Sequence, residues 1–114
     1  LWRLSVPAAT GPIDLPGTQL VEWGGALRWY RPSADALAAL SGTAPAAPQT
    51  AAQALRERIA ALGGTATLFR ADEAHADVLR FHPLAPVNLQ IHQRLKQAFD
   101  PRGLINHGRM YPGL

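Results

Sequence analysis

Three features of this 114-residue chain point to an α+β domain with helices packed on one face of an antiparallel sheet. Trp2, Leu4 and Val6 alternate with Arg3 and Ser5, the period of a strand with one buried face. Two runs rich in β-formers, 19–23 and 26–30, flank Gly24-Gly25, and a Gly-Gly pair supplies the positive φ values of a two-residue hairpin turn. Leu55, Ile59 and Leu62 recur at i, i+4 and i+7, one stripe of a helix.

The first strand ends at Pro7, and residues 8–18 read as a loop punctuated by Pro12, Pro16 and Gly17. The Gly-Gly turn sets Trp23 opposite Ala26, Val21 opposite Arg28 and Leu20 opposite Trp29. A short helix is expected over 32–40, followed by an Ala/Pro-rich flexible loop over 41–49. Thr50 with Gln53 three residues on makes a capping box for the next helix, which Gly63-Gly64 terminates. Residues 65–70 return as a strand, and 72–82 carry no decisive pattern, with a short strand or an extended piece as the alternatives at 78–81. Pro86, suited to the first helical position, opens a last helix through Val87, Ile91, Leu95 and Ala98 to Phe99. Asp100-Pro101 ends it, leaving 1–100 as the domain and 101–114 as an extended tail.

A composition of 47% hydrophobic and 17% charged residues excludes a wholly disordered chain. The absence of cysteine excludes disulfides, Cys-ligated zinc and Cys-ligated iron–sulfur clusters in this chain, so any cluster belongs to a partner. Eleven basic residues against eight acidic ones leave a charge of only +3, scattered from Arg3 to Arg109. That is no phosphate-tracking stripe, and nucleic acid is not an expected partner. No apolar run reaches the roughly 18 residues of a membrane span. The chain lacks an initiator Met and starts in mid-strand, as expected of a domain excised from a longer protein.

With helices on one face, the expected core is Trp2, Leu4, Val6, Leu20, Leu27, Trp29 and Leu68. The opposite face then carries Arg3, Ser5, Val21, Trp23, Arg28, Tyr30, Thr67 and Phe69, too aromatic for ordinary solvent surface. Arginine forks bind carboxylates bidentately, which makes Arg3 and Arg28 candidate carboxylate ligands on a docking or ligand face. The alternative is a two-sided core from which both arginines snorkel to solvent. Glu22 falls on the expected core face, so either that end is solvated or the phase is wrong.

The histidines His75, His82, His92 and His107 include no helical i, i+4 pair, and no metal site is expected. There is no nucleophile elbow, phosphate-cradling loop or dinucleotide fingerprint. Asp72, Glu73 and Asp77 read as a solvated loop, and His92 as a surface residue. By its residues alone the domain shows no catalytic constellation.

The segment from Leu95 to Arg109, LKQAFDPRGLINHGR, resembles the C-terminal signature of FAD-linked oxidases of the vanillyl-alcohol oxidase type. The opening LWRLSVP and the hairpin LVEWGGALRW narrow the resemblance to the FAD-binding subunits of bacterial glycolate oxidases. It covers most of the chain; residues 42–49 carry none of it. It implies a ferredoxin-like cap domain over the substrate side of an FAD held mostly by another domain. The parent is then a flavoprotein that oxidises glycolate or a similar 2-hydroxy acid. Its partners are a homologous flavin subunit and an iron–sulfur subunit, and its location is cytoplasmic with inner-membrane contact through the complex.

In that family the tail returns to the FAD domain and brings an Asn-containing turn near the flavin. Asn106 and Gly108 match that motif and Arg109 its basic position, whereas His107 stands where the family has proline. Asn106, His107, Gly108 and Arg109 are thus the implied cofactor contacts, and Arg3 or Arg28 the implied cation for the substrate carboxylate. Two other readings stay open: a subunit-docking domain, and a free-standing ferredoxin-like module for small molecules or RNA. The RNA version lacks the aromatic-rich strand motif it needs.

Overall fold

A computed structural model of the chain describes residues 1–33, 36 and 48–114. Most of the helix expected over 32–40 and most of the loop expected over 41–49 lie outside them, and Pro32, expected to open that helix, instead ends a strand. Two compact units are formed, Leu1–His82 and Pro83–Leu114.

In the first unit, strands β1 (Trp2–Ser5), β2 (Gly17–Glu22), β3 (Leu27–Pro32) and β4 (Thr65–Leu68) make one sheet in the order β2-β3-β1-β4. Every neighbouring pair is antiparallel. β3 lies between β1 and β2, and the irregular segment 6–16 makes the crossover. Helix α1 (Pro48–Ala61) precedes β4 and packs on one face. Its Ala52, Leu55 and Ile59 meet Trp2, Leu4, Tyr30, Ala66 and Leu68, while Ile13 and Leu15 of the crossover extend the same core. Leu4, Leu55 and Ile59 are completely buried, each burial stabilising by about 1.5–3 kcal/mol.

The hairpin has the register its turn dictates: Val21 pairs with Arg28 and Leu20 with Trp29. Gly24 (φ 60°, ψ 27°) and Gly25 (φ 97°) take the doubly positive turn conformation, and Ala26 N–H donates to Trp23 O at 3.2 Å.

The face expected for this hairpin is reversed. Trp2 pairs with Tyr30 and Arg3 with Trp29, so Tyr30 and Arg28 lie on the covered side, and Leu20 and Trp29 on the open side. A hairpin turn fixes two strands against each other but not their phase against a third. Tyr30 is fully buried because its hydroxyl reaches Pro16 O at 2.9 Å. Trp29 stays at the surface, where Nε1 donates to Glu22 Oε2 at 2.7 Å. The misplaced Glu22 was the sign of this reversal.

Helix α1 starts two residues before the expected cap, so Thr50 lies inside its first turn and Gln53 bonds Glu57 at 2.8 Å instead of closing a box. Its end matches expectation: Gly63 is left-handed (φ 74°), and Gly63 and Gly64 N–H donate to Ala60 O and Ile59 O. Leu62, beyond the last turn, is exposed, unlike Leu55 and Ile59. After β4 the chain makes a short 3₁₀ turn, Glu73–His75, capped by the Asp72 side chain. It then runs beside β4, with Leu68 N–H donating to Arg80 O at 2.7 Å.

In the second unit, helix α2 (Pro86–Phe99) has the expected bounds, with Pro86 at its start. No residue of α2 is buried. The tail is not extended: Gly103 N–H reaches Asp100 O, Arg109 N–H reaches Asn106 O, and Leu114 N–H reaches Tyr111 O, three successive turns. Left-handed conformations at Gly103, Asn106 and Gly108 make those turns possible.

Candidate functional site

Arg3 projects from the open face, as its alternation with buried Trp2 and Leu4 requires. Its strand neighbours are Trp29 and Thr67. Trp29 meets Phe69 edge to face, with ring centroids 5.0 Å apart. Phe69 is 51% exposed and Leu20 55%, so the open side is an apolar, aromatic surface with a cation in its middle. Thr67 and Glu22 supply its polar groups.

Arg28 does not join it. Its strand neighbours are Leu4 and Val21 on the covered side, and it is 4% exposed. Its guanidinium donates to Thr10 O at 2.5 Å and Gly25 O at 3.4 Å, tying the crossover to the sheet. The expectation of Arg3 and Arg28 on one face is therefore corrected, and the pair cannot grip one carboxylate together. Arg28 instead lines a separate cleft of about 410 Å³ with Ile13, Gln19 and Val21.

The tail residues Asn106, His107, Gly108 and Arg109 are all exposed on one turn. Among the described residues no hydrogen bond or ion pair engages the side chains of Asn106, His107 or Arg109. A Cβ at Gly108 would meet nothing within 4 Å, so its backbone is open to close approach. Immediately before this turn sits a charged knot. Asp100 accepts from Lys96 Nζ at 2.7 Å, from Leu104 N–H at 2.9 Å and from Ile105 N–H at 2.8 Å. Lys96 Nζ also donates to Ile105 O. Lys96 first, then the two amides, hold the Asp100 carboxyl down at about 2. Nearby, His92 Nδ1 lies 2.8 Å from Asn88 O and its ring stands edge to face with Tyr111, so it is half-buried, not simply solvated.

Two further residues escaped the sequence reading. Arg56, 4% exposed, lies over the Trp2 ring at 5.4 Å and donates to Leu79 O, while its Nε is buried without a partner among the described residues. Burial lowers its pKa. Its i, i+4 spacing from Ala52 and i, i+3 spacing to Ile59 was the available signal. His82 Nδ1 accepts from Ala66 N–H at 3.3 Å. Burial first, and the Arg56 charge second, push its pKa down. Among the described residues no group of three potential metal ligands is assembled, and no helix is long and apolar enough to cross a membrane.

No family model matches the chain, and no solved structure matches it. The chain spans about a quarter of the length of the curated relative it matches. Over 115 aligned residues, covering all of this chain and 27% of the relative, it is 40% identical to glycolate oxidase subunit GlcE of Escherichia coli (strain K12), a similarity consistent with a C-terminal domain of that subunit.

Proposed function

We propose that these residues act as the C-terminal domain of an FAD-dependent 2-hydroxy-acid oxidase subunit, with 1–100 as cap and 101–114 as the segment that reaches the flavin. The observation that carries this reading is the 40% identity over the whole chain. The geometry supports it at the tail. An amide, an imidazole and a guanidinium stand exposed and uncommitted on a turn whose Gly108 admits close approach. That donor set fits the polar edge of a flavin ring. FAD, when bound, supplies the two-electron acceptor for oxidation of the hydroxyl-bearing carbon to a 2-oxo acid. This chain's residues orient and tune: Asn106 offers a donor and an acceptor, and Arg109 a positive charge suited to a reduced, anionic ring. His107 adds a further hydrogen-bonding group in place of proline.

Arg3 is the candidate cation for the substrate carboxylate on the open face. Arg28, buried and bonded to two carbonyls, is kept out of that role by its placement. The electrons leave through an iron–sulfur partner subunit, in keeping with a chain that has no cysteine of its own. A second reading, a subunit-docking face, is favoured by the exposure of Leu20 and Phe69 on the same face as this arginine.

Arg3→Ala in the assembled oxidase separates the two. Carboxylate binding predicts a KM for glycolate raised about tenfold or more, with FAD content and assembly intact. Docking predicts loss of co-purifying subunits. An unchanged KM with assembly intact removes Arg3 from both roles.

A further inference from the structure

We propose that Lys96 and Asp100 are positioning residues whose clamp sets the shape of the Asn106 turn. This rests on the reading of that turn as a flavin contact. Lys96 in the last turn of α2 and Asp100 at its C-cap, four residues apart, bring their side chains together. Each Asp100 oxygen then takes a separate load: Oδ1 receives Leu104 N–H, and Oδ2 receives Ile105 N–H and Lys96 Nζ. Lys96 spans from that oxygen to Ile105 O. Both N–H groups before Asn106, and the carbonyl that joins it to Ile105, are therefore fixed by one ion pair.

The clamp explains the spacing of the surrounding residues. Pro101 stops the helix, and left-handed Gly103 (φ 63°) turns the chain back so that the next two amides face the Asp100 carboxylate. The chain enters Asn106 in a defined direction, and Asn106 adopts φ 50°, a conformation asparagine tolerates better than most residues. Leu104 and Ile105 are 69% and 62% exposed, so apolar packing does not hold this segment; charged hydrogen bonds do. The Asp100 side chain, only 10% exposed, is screened from water more than its surface position suggests.

Two measurements test the proposal. In the 114-residue chain, Asp100→Asn turns one carboxylate oxygen into a donor that faces N–H donors. The amide resonances of Leu104, Ile105 and Asn106 should shift, while those of Trp2 and Tyr30 stay in place; unmoved resonances at 104–106 overturn the clamp. In the FAD-loaded parent, Asp100→Asn and Asn106→Ala should each displace the visible flavin absorption band, and the double variant should go no further than Asn106→Ala alone. A band moved by Asn106→Ala and untouched by Asp100→Asn contradicts the positioning role. A band untouched by Asn106→Ala overturns the flavin reading of the turn, and the clamp is then decided by the amide shifts alone.

Discussion

Tyr30 and Trp29 are neighbours on β3 with opposite fates, and the difference lies in where each finds a hydrogen-bond partner. Tyr30 points under the sheet to a carbonyl of the crossover, and Trp29 points out to a carboxylate. An amphipathic ring can be buried cheaply only where its polar tip is satisfied. Tyr30→Phe should therefore cost about 1 kcal/mol in urea unfolding, the usual net worth of such a bond. Alternation within β1 was legible because Trp2, Leu4 and Val6 are unambiguous; β3 was not, because Leu27-Arg28-Trp29-Tyr30 offers a large side chain to either face. The Asp100 clamp was illegible for another reason: its partners are backbone amides, which no residue type announces. Its titration checks it. Asp100 is held at about 2 against an ordinary 3.8, so its contribution to stability is complete above 3.8 and disappears as pH falls through about 2. The Leu104 and Ile105 amide shifts should titrate with that lower midpoint.

Among the elements, the turn and register of the hairpin and the bounds of α2 were legible because their signals are local: two glycines for a turn, a proline and a periodic apolar stripe for a helix; the face of the hairpin was not. The tail was misread as extended, since its glycines serve as turn positions and not as breaks. Gly64 shows how tightly α1 and β1 are joined. A Cβ there would lie 2.4 Å from Ser5 O and 2.7 Å from a Val6 methyl. Gly64→Ala should destabilise the domain by roughly 1–3 kcal/mol, read as a lower urea midpoint. The strap beside β4 gives a pH-dependent expectation. His82 has its pKa pushed below the ordinary 6.5, so the unfolded chain takes up the proton first as pH falls. The strap's contribution is complete above 6.5 and declines as pH drops below it. Urea midpoints at about pH 7.5 and pH 5.5 should differ, and the gap should narrow in His82→Gln.

For the molecule as a whole, surface composition is the informative quantity. The first unit leaves Leu20, Trp23 and Phe69 exposed, and the second leaves Val87, Ile91, Leu95 and Phe99 exposed along α2. The periodicity of α2 was legible, but not whether its stripe is covered: Phe99 is 84% exposed. Phe99→Ser should accordingly shift the stability of the 114-residue chain by no more than about 0.5 kcal/mol. The proposed role, a cap and tail working against a larger flavoprotein, would cover such surfaces. The decisive measurement is FAD uptake by the polypeptide encoded with the sequence upstream of Leu1, compared with the 114 residues alone. A yellow protein holding about one FAD per chain, beside a colourless isolated domain, is the predicted result. A complete polypeptide that stays colourless after FAD is supplied would contradict it.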